Sequence, residues 1–314
     1  MPTSPLMSLN GRIVSYEQCT VHAFSGVVKY GAGVFEGLRG YWNAERGDMY
    51  VFRLHEHLER LRYGMRVLRF DTVFEERFMA DSLLAMIRAN DLRENVHLRM
   101  IAFLDGDDEL AATGPVGLVC GAVPRPRSKA VSDGVHIAVS TYARLGDNAL
   151  PPRVKATANY VNNRAAELEA RRNGYQGVLM LTDRGKVSEG SGACFFMVRN
   201  GAIHTPDVGS DILESITRDT VIKLAREKLG MTVYERTVDR HEVYDADEAF
   251  WCGSGYEVQP IVSLDRMALG NGAPGPVTRA LQDAYFAAVE GRSGDHPEWL
   301  TPVWANSEGG HRDV

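Results

Sequence analysis

Cysteine is scarce in this sequence, and long apolar runs are missing. Only four cysteines occur in 314 residues, and they form no CxxC pair. This spacing argues against a disulfide framework or a zinc site and indicates the reduced thiols of a cytoplasmic protein. No run approaches the ~20 apolar residues that a membrane helix needs. The first ten residues lack the basic start and apolar centre of a signal peptide, so we expect neither secretion nor membrane insertion.

An excess of positive charge is also missing. The formal net charge of −6 argues against a nucleic-acid partner. Hydrophobic content of 44% and charged content of 24% are typical of a globular protein with one large or two ordinary α/β domains. Residues 124–129 are rich in proline and basic side chains and have no periodicity. We therefore predict a smaller N-terminal α/β domain at 1–124, an interdomain loop at 125–133, a larger C-terminal α/β domain at 134–298 and a polar tail at 299–314.

Two segments carry apolar stripes at helical spacing. The first spans residues 54–68, and the second spans 159–172 with its stripe at Val161, Ala165 and Leu168. Lys155 stands just before the second helix. Most lysines lie on the surface, but a lysine that points into a desolvated cleft loses its proton more easily and becomes a nucleophile. The pattern alone leaves both interpretations open.

Several charged residues also have two interpretations. Residues 95–104 alternate as a strand, and His97 and Arg99 share the face opposite its apolar residues. They can be solvated at an edge, or they can converge on a carboxylate. Arg60 on the first helix can extend to water or reach a buried anion. Glu189, set among glycines and serines, can be a loop acid or a buried acceptor beside a flat ligand.

Two further segments are candidate anion sites. Ser215 or Thr217 can cap a helix that runs to about Leu229, and a helix N-terminus binds anions as well as beginning an ordinary helix. The loop Gly253-Ser254-Gly255 can present its N–H groups to a phosphate or carboxylate. It is not a dinucleotide fingerprint, because the third glycine and the following helix are missing.

Taken in chain order, these segments resemble the branched-chain aminotransferases, which are pyridoxal-phosphate enzymes of the class IV aminotransferase family. The resemblance covers about Asn10 to Tyr285 and rests on Tyr30-Gly31 through Phe35-Glu36-Gly37 to Arg39, then Arg60, Arg99, Lys155 with Asn159-Tyr160, Ser188-Glu189-Gly190, Ile216-Thr217-Arg218 and Gly253-Ser254-Gly255. It implies an α/β protein of fold type IV, similar to D-amino acid aminotransferase, with two domains of mixed sheets and flanking helices. It also implies a homodimer or larger homo-oligomer with the site near the interface.

The resemblance implies pyridoxal 5′-phosphate as the cofactor and assigns residues to it. Lys155 would bind the cofactor aldehyde covalently and then move the proton at the substrate α-carbon, as the catalytic base and acid. Glu189 would pair with the pyridine nitrogen, and Tyr160 with the phenolic oxygen. The phosphate would be held by Arg60, Ile216, Thr217 and Ser254. No metal is implied.

The implied reaction moves the amino group of an L-amino acid with a branched-chain-like side chain to a 2-oxo acid such as 2-oxoglutarate. The substrate site would be lined by Tyr30, Phe35, His97, Arg99, Gly255 and Tyr256. Several positions of the substrate site depart from the family pattern. His97 replaces a tyrosine, Arg125 stands near the position of a tryptophan, and Gly255-Tyr256 replaces two alanines. We expect the Tyr256 ring to turn into the pocket, where its hydroxyl would favour donors with a polar or aromatic end.

Rival functions follow from the same pattern. In the same fold, an amine or biosynthetic transaminase would use another amino donor, and an aminodeoxychorismate-type lyase would eliminate pyruvate. Arg99 and the run Phe35–Arg39 favour the transaminase. A non-catalytic binding protein is the rival from another class. The joint presence of Lys155 and Glu189 argues against it, because a simple binding pocket needs neither.

Overall fold

A computed structural model of the protein describes residues 4–106 and 109–304. Residues 1–3 and 107–108 and the part of the predicted polar tail from residue 305 lie outside the described residues. Within them the strands, in chain order, are β1 (Leu6–Leu9), β2 (Arg12–Ser15), β3 (Gly33–Asn43), β4 (Asp48–Phe52), β5 (Val96–Leu104), β6 (Val116–Pro124), β7 (Val135–Ala143), β8 (Gly177–Leu181), β9 (Val187–Gly190), β10 (Cys194–Arg199), β11 (Ala202–Thr205), β12 (Val233–Glu235), β13 (Glu248–Gly253), β14 (Glu257–Leu264), β15 (Met267–Ala268) and β16 (Leu300–Pro302).

The helices of the described residues agree closely with the periodic segments of the sequence. In chain order they are α1 (Gly26–Tyr30), α2 (Leu54–Val67), α3 (Glu76–Ala89), α4 (Ala130–Asp133), α5 (Asn159–Arg172), α6 (Ile216–Leu229), α7 (Arg240–Val243) and α8 (Pro276–Val289). The predicted helices at 54–68 and 159–172 are therefore confirmed as α2 and α5. None of the helices in the described part of the chain is long and apolar enough to cross a membrane.

The chain divides into two compact units that differ from the predicted domains. Unit 1 comprises Met1–Pro126, Val154–Ala158 and Ala288–Val314, and unit 2 comprises Arg127–Arg153 and Asn159–Ala287. The first boundary lies within the predicted loop at 125–133, although α4 makes the end of that loop helical. The short segment Val154–Ala158 was predicted to lie in the C-terminal domain. It packs with unit 1, because its backbone pairs with β3.

Unit 1 is built on an antiparallel sheet in the order β16-β4-β3-β5-β6-β1-β2. The helices α2 and α3 contact strands of this sheet. The predicted stripe of α2 is buried, since Leu58, Leu61 and Met65 are at most 1% exposed. They share a core with apolar residues of β3 and β5, among them Leu38 and Leu98. One face of β3 and β5 therefore belongs to the core.

Unit 2 is built on a mixed sheet in the order β12-β11-β10-β13-β14-β7-β8-β9, with β15 paired to β14. The strand pairs β7–β8 and β7–β14 are parallel, whereas β10–β13 and β13–β14 are antiparallel. An additional pairing of β9 with β10, at Glu189 and Cys194, closes part of this sheet into a ring of strands. Glu189 thus lies at the closing seam. The hairpin of β10 and β11 turns at Asn200 and Gly201 with positive φ at both, as a type I′ turn requires.

The apolar stripe predicted for α5 does not face the core. Val161 and Leu168 are 71% and 49% exposed, whereas Asn159, Asn163 and Ala166 are buried. The side of α5 that faces the unit 2 interior carries the amides of Asn159 and Asn163. Asn163 is hydrogen-bonded there. Its Nδ2 donates to the carbonyl of Ser191 at 2.8 Å. Hydrogen bonding at this helix has overridden the apolar periodicity.

The predicted polar tail at 299–314 is also wrong where the structure describes it. Strand β16 pairs with β4, so that Leu300 lies opposite Phe52. Trp299 is 3% exposed and packs edge-to-face on Phe52, with ring centroids 5.9 Å apart. One buried tryptophan and three ladder residues anchor the described end of the chain, which composition alone could not indicate.

Candidate active site

Lys155 is held beside β3 by backbone hydrogen bonds. Ala156 forms an antiparallel bridge with Val34, and the carbonyl of Lys155 accepts from the N–H of Phe35 at 3.0 Å. The N–H of Thr157 donates to the carbonyl of Gly33 at 2.9 Å. The Lys155 Nζ lies 4.9 Å from the centroid of the Phe35 ring. The amine is thus set against one aromatic face of unit 1.

The register of β3 and β5 places further charged residues on the Phe35 face. Arg39 lies opposite His97, and Arg99 lies opposite Gly37. The Arg99 guanidinium is 5.0 Å from the Phe35 ring centroid, which is a cation–π distance. A Cβ on Gly37 would come within 3.1 Å of the His97 ring, so the glycine makes room for that ring. The predicted alternation of residues 95–104 is confirmed, with His97 and Arg99 turned away from the core.

His97 is uncharged at neutral pH. Burial, together with the neighbouring charges of Arg99, Arg39, Arg125 and Lys155, lowers the pKa of His97 to about 3. Its Nδ1 has no hydrogen-bond partner among the described residues. A neutral imidazole therefore stands among cations.

Arg60 binds a buried carboxylate of the protein itself. Its Nε and Nη2 donate to the two oxygens of Glu36 at 2.7 and 2.8 Å. The Nδ1 of His57 also hydrogen-bonds to Glu36, at 2.7 Å. The interpretation that Arg60 reaches a buried anion is thus observed, and that anion is Glu36. Because a guanidinium carries five N–H donors, this fork still permits the predicted contact with a phosphate.

Glu189 is a buried acceptor and not a loop acid. It is 4% exposed, and its Oε1 accepts from both Nε and Nη2 of Arg144 at 3.0 Å. Its Oε2 accepts from the N–H of Leu213 at 3.2 Å. Arg144 is in turn fixed by donating its Nη1 to Asn163 at 3.1 Å. The carboxylate is therefore paired with a cation and fixed in orientation.

The N-terminus of α6 begins at the predicted cap. Ser215 is the N-cap, and its hydroxyl accepts from the N–H of Arg218 at 3.2 Å. Ile216 and Thr217 form the first turn, and Thr217 is 2% exposed. A first turn with N–H groups and a buried hydroxyl is suited to an anion.

The Ser254–Tyr256 loop joins β13 to β14, and its turn is closed by the N–H of Tyr256, which donates to the carbonyl of Gly253 at 3.0 Å. The Tyr256 ring packs beside Gly192, where a Cβ would meet it at 3.4 Å. Burial raises the pKa of Tyr256. The preference of this hydroxyl for donors with a polar or aromatic end stays a prediction.

The remaining predicted residues are placed as follows. Tyr160 is the second residue of α5, directly after buried Asn159, and lies close enough to Tyr256 to affect its pKa. Tyr30 ends α1 and is 44% exposed. The next residue, Gly31, has φ +67° and approaches Ala158, where a Cβ would lie 3.1 Å from the alanine side chain. The chain at Tyr30 is thus adjacent to the Lys155 segment.

Sequence reasoning missed four residues that support the predicted ones. Glu36 holds Arg60 and is itself held by His57, and Arg144 holds Glu189 and is itself held by Asn163. A signal existed for Glu36, since alternation places this acid on the face of β3 that also carries Val34 and Leu38. Arg144 offered no such signal, because it follows the end of β7.

Comparison with known proteins identifies the class. Residues 33–264 match the family described as amino-transferase class IV. The chain is 36% identical over 299 residues to a probable branched-chain-amino-acid aminotransferase of Aquifex aeolicus, covering 94% of this chain and 95% of the relative. The protein belongs to the class IV aminotransferases, and the predicted fold class is confirmed.

Solved structures of branched-chain aminotransferases are also similar to this chain. The branched-chain amino acid aminotransferase of Thermobaculum terrenum, in its PLP form, is 43% identical with a TM-score of 0.90, covering 96% of this chain and 99% of that one. The branched-chain aminotransferase of Thermoproteus uzoniensis with norvaline is 36% identical with a TM-score of 0.91, covering 96% and 100%. The resemblance to branched-chain aminotransferases is confirmed.

Proposed function

We propose that this protein is a pyridoxal 5′-phosphate-dependent aminotransferase that moves the amino group of a branched-chain-like L-amino acid to a 2-oxo acid such as 2-oxoglutarate. The observation that carries the proposal is the pair of prepared groups, the Lys155 amine against Phe35 and the Glu189 carboxylate fixed by Arg144. The PLP form of the Thermobaculum terrenum relative supports the cofactor.

The donors and acceptors present fit this cofactor. An aldehyde needs an amine, which Lys155 has. A protonated pyridine nitrogen needs a buried carboxylate, and the pairing of Glu189 with Arg144 keeps that carboxylate ionised. A phosphate needs convergent N–H and hydroxyl donors, which the first turn of α6 offers at Ile216 and Thr217.

Each residue then has a defined task. When bound, pyridoxal phosphate supplies an electron sink for the bonding electrons of the substrate Cα–H group. Lys155 would take the proton from that carbon and deliver it to the carbon of the cofactor aldehyde group, and with the 2-oxo acid it would move a proton in the opposite direction. Glu189 keeps the proton on the ring nitrogen, and Tyr160 donates to the phenolic oxygen. Arg60, Ile216, Thr217 and Ser254 hold the phosphate.

For the substrate we propose that Phe35 contacts the apolar part and Arg99 a carboxylate. The cation–π contact between Arg99 and Phe35 brings both kinds of group to one face of unit 1. Tyr30, His97, Gly255 and Tyr256 stay proposed lining residues. The norvaline complex of the Thermoproteus uzoniensis relative supports an aliphatic amino acid as donor.

We also propose a homodimer or larger homo-oligomer in the cytoplasm. Phe24, Val28 and Tyr30 form an exposed apolar group in and just before α1, between 44% and 61% exposed. A second copy would cover it. The compartment is supported by Cys194 and Cys252, which lie opposite each other on β10 and β13 and form no disulfide. Light scattering should give at least twice the chain mass, and a Val28→Asp variant should lower it.

The experiment for the activity combines labelling with a substrate panel. Borohydride reduction of the yellow, cofactor-loaded protein should fix the cofactor to Lys155, as peptide mapping would reveal. Label on another lysine would overturn the assignment. Leucine, isoleucine, valine, an aromatic amino acid and a simple amine, each with 2-oxoglutarate, should show the highest kcat/KM for the branched-chain donors. Pyruvate released from aminodeoxychorismate would instead favour the lyase.

A further inference from the structure

A carboxylate is buried in the apolar face of β3. Glu36 is 0% exposed and lies on the core side of the strand, between Val34 and Leu38, which are 1% and 0% exposed. A buried ionised carboxylate is costly unless it is paired and hydrogen-bonded. Because Glu36 is adjacent to Phe35, this buried carboxylate is a candidate functional residue.

Glu36 is fully engaged by two residues of α2. Arg60 approaches side-on, with Nε on one oxygen at 2.7 Å and Nη2 on the other at 2.8 Å. His57, which is 2% exposed, adds a hydrogen bond from Nδ1 at 2.7 Å. Two parallel bonds fix both the position and the plane of the guanidinium. The hydrogen bond from His57 holds the Glu36 carboxylate itself, so that the carboxylate and the Arg60 guanidinium cannot rotate together.

The three residues carry no net charge. Burial alone would raise the pKa of Glu36, but the charge of Arg60 and the hydrogen bonds from Arg60 and His57 outweigh it, so the pKa is lowered and Glu36 is ionised. Burial lowers the pKa of His57 and, with the charges of Arg60 and Lys155, outweighs the opposing effect of Glu36, so the ring is neutral and its Nδ1–H donates to the carboxylate. Arg60 therefore keeps its donors while its positive charge is compensated by Glu36.

We propose that Glu36 and His57 are positioning residues that aim the opposite edge of the Arg60 guanidinium at the cofactor phosphate. The inference rests on the proposed function. Since Glu36 compensates the charge, Arg60 acts through the direction of its N–H groups and not through net attraction. The side-on fork uses Nε and Nη2, so the planar geometry directs Nη1 away from Glu36. The phosphate preference of the protein then depends on a carboxylate that does not touch the cofactor.

The test measures how strongly the protein prefers the phosphorylated cofactor. Apoprotein is titrated with pyridoxal 5′-phosphate and with pyridoxal, which reacts with the same lysine but has no phosphate. The ratio of the two dissociation constants is compared between parent and Glu36→Gln. The amide has one acceptor oxygen and turns an NH2 toward a donor, so the fork is lost and the ratio should fall about tenfold. A ratio that rises would show that Arg60 acts by charge, and it would overturn the proposal.

Matched variants separate positioning from folding. His57→Leu should lower the ratio several-fold, and His57→Asn, whose amide reaches the place of Nδ1, should restore it. Arg60→Lys keeps the charge but lacks the fork, so adding Glu36→Gln to it should have little further effect. Glu242→Gln is the control. Glu242 also accepts two hydrogen bonds from one arginine, Arg236, at 2.9 and 2.6 Å, but this pair lies in unit 2 and has no proposed role toward the cofactor. Its ratio should equal that of the parent.

The outcomes distinguish the inference from the proposed function. If folded Glu36→Gln and His57→Leu proteins keep the parental ratio, the three residues are a structural ion-pair cluster only, and the inference fails. If the parent binds neither form of the cofactor, the proposed function fails instead. Thermal unfolding of each variant shows whether the protein is folded during the titration.

Discussion

The Glu189→Gln substitution tests the acceptor that the reaction depends on. Glu189 receives donors on both oxygens, from Arg144 on Oε1 and from the N–H of Leu213 on Oε2. Glutamine has the same shape but only one acceptor oxygen. Either its NH2 faces the Arg144 guanidinium or it faces the N–H of Leu213. The substitution therefore removes the negative charge and also sets two donors against each other in a buried place.

The size of the effect follows from these contacts. One charge-assisted hydrogen bond contributes roughly 1.5–3 kcal/mol. With about 1.4 kcal/mol for each factor of ten, loss of the bond to a protonated ring nitrogen should slow amino transfer from leucine about 10- to 100-fold. Cofactor binding should persist, because the lysine and the phosphate contacts remain.

The assay is the single-turnover rate of amino transfer from leucine, followed by absorbance, together with the melting temperature. Glu248→Gln provides the control. Glu248 is also a buried carboxylate, and it accepts from the N–H groups of Val277 and Thr278 at 2.9 and 2.7 Å. Glu248→Gln should lower the melting temperature and leave the rate of the folded enzyme unchanged. A parental rate in Glu189→Gln would show that this carboxylate does not face the ring nitrogen.

Three further changes have defined outcomes. Arg99→Ala should reduce kcat/KM for glutamate and 2-oxoglutarate more than for leucine, and equal losses would contradict recognition of the distal carboxylate by Arg99. Tyr256→Ala should raise kcat/KM for leucine relative to an aromatic donor, while Tyr256→Phe should leave this ratio unchanged; identical ratios in all three proteins would remove Tyr256 from the pocket. The Arg236 contact holds the pKa of Glu242 at about 2, below its ordinary 4.5. This pair should therefore stabilise the fold above about pH 4.5 and lose its effect as the pH falls toward 2, so Glu242→Gln should lower the urea midpoint at pH 7 more than at pH 2.5.

The predictable parts of the fold were those governed by apolar periodicity. The buried stripe of α2 and the alternation of β5 follow from one-sided burial, which dictates residue type position by position. The stripe of α5 was mistaken for a buried face because its inward side is held by hydrogen bonds of Asn163. Val161 and Leu168 are consequently apolar and exposed. Periodicity cannot reveal a face that a polar network selects.

In the candidate site, only the residues proposed to contact the cofactor or substrate were predictable from the sequence. Lys155 and Glu189 stand in segments that the family resemblance fixes, but their supports lie far away in the sequence. Arg144 is 45 residues from Glu189, and His57 is 21 residues from Glu36. Such pairs depend on which strands and helices become neighbours, which a single sequence does not specify. The packing of residues 154–158 with unit 1 escaped prediction for the same reason.

The closed strand ring of unit 2 has a consequence for how easily the two key groups move. The strand that carries Glu189 pairs with β8 at two positions and with β10 at one, so its release breaks pairings on both sides. Lys155 is attached to β3 by a single bridge and a few backbone bonds. Amide hydrogen exchange should therefore be slow at β9 and faster at residues 154–158. Under the proposed function, the residue that moves the proton lies on the more easily opened segment, and the residue that pairs with the ring nitrogen lies on a strand held from both sides.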